Sequence, residues 1–171
     1  MPTAREVKEA FVLGNALKGD WNDLESFKPS LATEKARIAE LSESSLNKLI
    51  TDKYRLGGYD NATVWTLEQV PLDSCKVWPG MGKRAYMKGT VDEAANQFMQ
   101  LGMPNDRLHV MTRMAKLGLY SELPIIVFRR KKNPGYRIDD GCHRSVANYL
   151  AGERAINAYV GTMPEKYNHS W

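Results

Sequence analysis

The chain has 171 residues, 43% of them hydrophobic and 26% charged, enough for one domain or one domain with an appendage and too well mixed for a low-complexity polymer. A net charge of +4 at pH 7 and a pI near 9.0 permit a nucleotide or nucleic-acid partner without demanding one. Two cysteines, Cys75 and Cys142, with no CxxC spacing exclude a disulfide framework and a Cys/His metal site, and no apolar run approaches the ~20 residues of a membrane span.

The polar, helix-like opening Met1-Pro2-Thr3-Ala4-Arg5-Glu6 reads as no signal peptide, so a reducing cytosol is the expected compartment. Residues 4–18 carry Val7, Ala10, Phe11, Gly14 and Leu17 at helical spacing, and Gly19-Asp20 ends that helix. Trp21, Phe27 and Pro29 suggest a loop with aromatic anchors over 20–30. Ile38, Leu41, Leu46, Leu49 and Ile50 suggest one broken helix, or two short ones around Ser42, over 31–53. Gly57-Gly58 breaks the pattern, and a boundary is placed near residue 60.

Beyond it the character turns to strand. Thr63-Val64-Trp65-Thr66-Leu67 is β-branched and aromatic, and a second extended piece runs from Val70 to Val77. Pro79–Arg84 reads as a basic glycine loop. Thr90 and Glu93 form a capping box for a helix over 91–101, and Asp106 caps another with Leu108, Met111, Met114, Ala115 and Leu117 inward. Leu123–Phe128 reads as a buried strand and Asn133-Pro134-Gly135 as a turn. Tyr136-Arg137-Ile138 returns as a strand, 142–151 as a helix, and Ile156–Val160 as a last strand. The segment Met163–Trp171 reads as a loosely packed tail.

The densest chemistry lies at Asp140-Gly141-Cys142-His143-Arg144-Ser145, where a strand passes through a glycine turn into a helix. A helix N-terminus presents backbone N–H groups and partial positive charge to an anion. Arg144 adds a bidentate donor, His143 a proton carrier, and Cys142 a thiol whose thiolate that field would favour. Asp140 beside a phosphate cradle is a candidate Mg²⁺ ligand or nucleophile-orienting carboxylate; the plainer reading is a turn or cap, with Asp139 as its exposed neighbour. The favoured reading of Cys142 is nonetheless a small residue packed under the turn.

From about Leu67 to Gly161 the chain resembles the ParB/sulfiredoxin superfamily. The order of elements carries the resemblance. A strand ends at Val70-Pro71-Leu72-Asp73 and a helix ends at Gly118. Then come Pro124-Ile125-Ile126-Val127, the hairpin, and the Asp140–Arg144 turn opening a helix that closes at Ala151-Gly152. The resemblance implies an α+β fold with a small mixed sheet, and a nucleotide bound at this turn. Sulfiredoxins read Gly-Gly-Cys-His-Arg, matched here by Gly141, Cys142, His143 and Arg144 but with Asp140 at the first glycine. ParB-like amino-acid kinases read closer to Asp-Gly-His-His-Arg, from which only Cys142 departs. Chromosome-partition ParB proteins read Gly-Glu-Arg-Arg, matched only at Gly141 and Arg144, which disfavours a CTP-driven DNA clamp. Phage-encoded proteins labelled ParB-like nucleases also look like this chain. The helices before residue 60 have no counterpart in the pattern.

The resemblance therefore implies an NTP-dependent enzyme, with ATP as the first candidate and Mg²⁺ as cofactor, carrying out phosphoryl transfer or nucleotide hydrolysis. Gly141, Cys142, His143, Arg144 and Ser145 would bind phosphate, and Asp140, His143, Cys142 and Glu68 would serve the chemistry. Glu68 and Asp73 are the candidates for a general base. The alternative class is a DNA-binding or nuclease-like accessory protein without NTP turnover. Its residues are Lys83 and Arg84 in the glycine loop and Arg129, Arg130, Lys131 and Lys132 at the hairpin tip. Lys83 follows Gly80 and Gly82 like the end of a P-loop, but Val77 and Arg84 stand at required Gly and Ser/Thr positions, which excludes a Walker site. Trp78, Tyr120 and Tyr136 are candidates for base stacking or for plain packing. His109 reads as structural, Met99, Met103, Met111 and Met114 as gap-filling core, and Cys142 also carries a third, redox reading.

Overall fold

The computed structural model describes residues 1–19, 23–77, 88–104, 107–130 and 134–163. Lys83, Arg84, Lys131, Lys132, Trp78, Asp106 and the tail beyond Met163 lie outside the described residues.

Four helices come first. α1 (Ala4–Ala16) starts at a capping box in which the Glu6 backbone N–H donates to Thr3 Oγ1 at 3.2 Å and the Thr3 backbone N–H donates to Glu6 Oε2 at 2.6 Å. A 3-10 turn over Leu17–Gly19 follows it. α2 spans Leu24–Ala39 and α3 spans Glu43–Leu49 with Ser42 as its N-cap. The segment taken as a loop is thus largely helical. Asp23 caps α2 by accepting from the N–H groups of Glu25 and Ser26, and Pro29 sits inside the helix, in its second turn, where it leaves the Glu25 carbonyl without its helical donor. Gly57 and Gly58 also lie inside a helix, closing the short α4 (Lys53–Gly58), rather than breaking the chain before one forms.

Among the described residues the rest is a five-stranded mixed sheet with three more helices. β1 (Val64–Pro71) pairs antiparallel with β5 (Ala155–Thr162), and β5 pairs parallel with β3 (Ile125–Arg129). β3 pairs antiparallel with β4 (Tyr136–Asp140), and β4 pairs parallel with the two-residue β2 (Cys75–Lys76). The order across the sheet is β1-β5-β3-β4-β2. The architecture is α+β, as expected from the sequence. Central β3 buries Ile125, Ile126, Val127 and Phe128 in succession, which requires cover on both faces. α5 (Val91–Gln100), α6 (Arg107–Lys116) and α7 (Cys142–Leu150) pack together, α7 touching β3 and β5.

The helices before residue 60 share the sheet's core. Phe11 meets Tyr59 edge-on at 5.8 Å between ring centroids, and Tyr59 in turn meets Trp65 at 5.9 Å and stacks on Phe128 at 6.4 Å. One continuous apolar cluster runs from Val7 through Phe27 and Tyr59 to Ile125 and Val160. Two smaller expectations are corrected. Leu117 is 62% exposed rather than inward, and Met99 stands 46% exposed while Met111 and Met114 fill the core as expected.

Candidate functional site

The turn that the sequence singled out is built as a strand, one left-handed residue and a helix. β4 ends at Asp140, Gly141 takes φ +104°, and α7 begins at Cys142 with Gly141 as its N-cap. A glycine is required here twice over. L side chains rarely adopt that φ, and a Cβ on Gly141 would come within 2.5 Å of Ile125 Cγ2. The close approach is made by strand β3 inside the fold.

The two aspartates have exchanged their expected settings. Asp139 is 3% exposed, and Asp140 is the half-buried one. Asp139 Oδ2 accepts the Tyr59 hydroxyl and the Arg55 Nε–H, the latter at 2.9 Å, and its backbone carbonyl accepts Arg55 Nη2–H at 3.0 Å. Burial lifts the Asp139 carboxyl above its ordinary value against the pull of Arg55 and Tyr59. Burial and the neighbouring Asp139 carboxylate push the Tyr59 hydroxyl well above its own. Burial opposes charge on Arg55, yet Asp139 holds its guanidinium above the usual value.

Arg144 does not point into open space. It is 3% exposed, and its Nη1 donates to the Leu123 and Pro124 carbonyls at 2.7 and 3.2 Å, while Nη2 donates to Asp140 Oδ2 at 2.8 Å. This guanidinium ties α7 to the entry of β3 and to its own turn, so its structural commitments replace the expected phosphate clamp. Ser145 is wholly buried, and its hydroxyl donates to Gly141 O at 2.9 Å, so it too serves the turn rather than a phosphate. Cys142 is 1% exposed and belongs to the apolar cluster, the packed-under-the-turn setting that the sequence allowed. Cys75 is buried as well, and burial, with Asp73 and Cys142 adding to it, pushes its thiol up to about 12.

What remains open is a cleft of about 430 Å³ in front of the turn. Gly141, Cys142, His143 and Arg144 form one wall, and Asp139 and Asp140 the floor of the strand end. The opposite wall was not foreseen: Phe11, Gly14, Asn15 and Lys18 from α1 and the turn after it, Arg55 from α4, and Arg107 and Met111 from α6. Among the described residues the lining carries four cationic side chains, Lys18, Arg55, Arg107 and Arg144, and two carboxylates, Asp139 and Asp140. Asp140 Oδ2 is taken by Arg144, which leaves Oδ1 as the carboxylate oxygen on offer to a metal. Among the described residues no group of three or more His, Cys, Asp or Glu side chains is placed to hold a metal ion.

The other candidates fall away from this cleft. Glu68 sits on edge strand β1, where its carboxylate takes the Thr66 hydroxyl and Arg129 Nη2–H at 2.6 and 2.8 Å. The Thr66 hydroxyl, then Arg129, holds it below the ordinary carboxylate value, and it does not line the cleft. A group so placed is not the general base of this site. Asp73 lies in the short turn after β1 and is likewise outside the lining. Arg129 is held by Glu68 and lies over the Tyr136 ring at 5.5 Å, so its charge is already matched within the fold. The backbone N–H of Arg130 closes the hairpin onto Gly135 O at 3.1 Å. Tyr120 is 3% exposed and packs edge-on against Phe27 at 5.5 Å, a core residue rather than a stacking platform.

The residues that sequence reading missed had a signal. Phe11, Gly14, Asn15 and Lys18 follow the i, i+3, i+4, i+7 spacing of one helix face. That face mixes apolar, small, amide and cationic side chains, which is unlike a plain core stripe. Comparison with family models, with curated proteins and with solved structures gives no match for the chain.

Proposed function

We propose that the protein is a ParB/sulfiredoxin-like enzyme that binds ATP or another NTP through its phosphates in the cleft at the β4–α7 turn and transfers or hydrolyses the terminal phosphoryl group. The observation that carries the reading is the cleft at the first turn of α7, where a helix N-terminus meets the cationic side chains of Lys18, Arg55 and Arg107. Its volume suits a nucleotide-sized ligand. The strand–turn–helix geometry of Asp140–Arg144 is the structural feature on which the reading draws.

The roles divide differently from the sequence-based expectation. Arg144 and Ser145 shape the turn. His143, half-buried in the cleft lining, is the side chain of the motif to which the reading assigns donation to a phosphate oxygen or proton transfer. A single carboxylate oxygen, Asp140 Oδ1, suits a Mg²⁺ ion that is held largely by the substrate's own phosphates and by water, not by a protein cage. That metal would supply charge neutralisation on the transferred group; the chain supplies positioning and further positive charge. A buried Cys142 does not support sulfinate chemistry.

The test is a fluorescent-ATP titration with and without Mg²⁺, followed by phosphate release from each NTP in the presence and absence of DNA. Saturable binding is expected, with release that falls at least about tenfold in His143→Ala. DNA affinity with no binding of any NTP at millimolar concentration would overturn the proposal in favour of an accessory role.

A further inference from the structure

We infer that the helices before residue 60 are half of the anion site, and that Arg55 is a phosphate-binding residue held in position by Asp139 and Tyr59. The inference deepens the nucleotide reading above and rests on it. It assigns a role to a segment that the family resemblance leaves without one.

Arg55 lines the cleft with its side chain 26% exposed. Its position is determined from three sides. The guanidinium lies over the Phe11 ring at 4.8 Å, its Nε–H donates to Asp139 Oδ2 at 2.9 Å, and Nη2–H donates to Asp139 O at 3.0 Å. Asp139 is fixed in turn by the hydroxyl of Tyr59, a residue with no exposed surface. Among the described residues the one ion-pair partner of Arg55 Nη1 is Asp52 Oδ2, at 4.0 Å, so that end of the guanidinium keeps donors for a ligand. A side chain already ordered on one edge and open on the other binds an anion with little further loss of freedom.

The charges favour a polyanion. Each cleft carboxylate is paired inside the fold, Asp139 with Arg55 and Asp140 with Arg144. Lys18 and Arg107 line the same cleft, and Arg107 Nη2–H donates to Lys18 O at 3.0 Å, which joins the start of α6 to the turn after α1. α1 approaches the turn closely because it carries Gly14 there. A Cβ on Gly14 would stand 3.2 Å from Asp140 Oδ2 and 3.5 Å from Arg144 Nη2. The face that presents Gly14 to the turn presents Lys18 one turn on to the same cleft. A di- or triphosphate is the ligand class that matches several fixed cations in one cleft.

The experiment measures dissociation constants for ATP and for inorganic tripolyphosphate by calorimetry, using full-length wild type, Arg55→Gln, Arg55→Lys, Tyr59→Phe and the Arg55→Gln/Tyr59→Phe double variant. Arg55→Gln is expected to weaken both ligands about tenfold or more, and Arg55→Lys to recover part of that loss. Tyr59→Phe, which keeps the buried ring and removes the hydroxyl from Asp139, is expected to weaken both ligands severalfold. It should add nothing in the Arg55→Gln background, a coupling that general loosening of the core would not produce. If Arg55→Gln fails to fold, Arg55→Lys and the exposed Lys18→Ala decide, each expected to weaken binding. Wild type that binds ATP with an affinity indifferent to Arg55 overturns this inference and leaves the nucleotide reading standing. Arg55-dependent binding of tripolyphosphate without ATP binding upholds the inference and removes the nucleotide reading. Wild type that binds neither removes both.

Discussion

At the scale of single residues, Gly141 and Arg144 show how one turn is locked. Gly141 holds a backbone conformation that L side chains rarely adopt, and it leaves no room for a methyl group against Ile125. Gly141→Ala is expected to destabilise the protein by roughly 2–4 kcal/mol, combining positive-φ strain with overpacking against β3. Urea denaturation followed by tryptophan fluorescence measures this; a loss under about 0.5 kcal/mol would mean that the turn relaxes freely. Arg144 shows that residue type alone does not assign a role. Arginine after a glycine at a helix start suits phosphate, but the nearest strong acceptors are the Leu123 and Pro124 carbonyls and Asp140. A buried guanidinium left unpaired is costly, so the fold's own acceptors hold it.

At the scale of elements, α1 matters most, since it contributes both to the core and to the cleft. In α1 and the 3-10 turn that continues it, Val7, Phe11, Val12, Leu13 and Leu17 are buried, while Asn15 and Lys18 reach the cleft from the adjoining face. Its start depends on the Thr3–Glu6 capping box, which satisfies backbone N–H groups at both residues. Thr3→Ala is expected to cost about 1 kcal/mol and to show as faster amide exchange in the first turn of α1. Unchanged exchange there would show that tertiary contacts, with Arg5 donating to Leu41 O at 2.8 Å, hold the helix start without its cap. The connection between α1 and the site is also what makes α4 consequential: six residues place Arg55 at Asp139, across a sequence separation of 84.

At the scale of the whole molecule, the boundary placed near residue 60 does not divide the core. Tyr59, immediately before it, has no exposed surface and contacts Phe11 on one side and Trp65 and Phe128 on the other. Removing residues 1–60 would uncover that face of the sheet and discard Phe27, Leu31, Ile38 and Leu46 with it. Burial of each such side chain is worth about 1.5–3 kcal/mol, so these four alone are worth as much as the ~5–15 kcal/mol net stability of a typical protein. A chain of residues 61–171 is therefore expected to lack a cooperative thermal transition and a dispersed amide spectrum. A sharp transition in that fragment would show that the helices are an independent addition, and would weaken the case for a shared cleft.

The sequence by itself determined the elements whose signals are local. The capping box at Thr90, the alternating or continuously apolar strands, the glycine at 141 and the strand–turn–helix around it follow from short-range sterics and periodicity. Only the tertiary structure decided which charges meet. Asp139 found Arg55 and Tyr59, Asp140 took Arg144, Glu68 went to Arg129 at the other edge of the sheet, and α1 closed over the turn through Gly14. Periodicity records which face of an element is apolar, whereas ion pairs and cleft walls depend on distances between elements far apart in the chain, and those distances are set when the whole core packs.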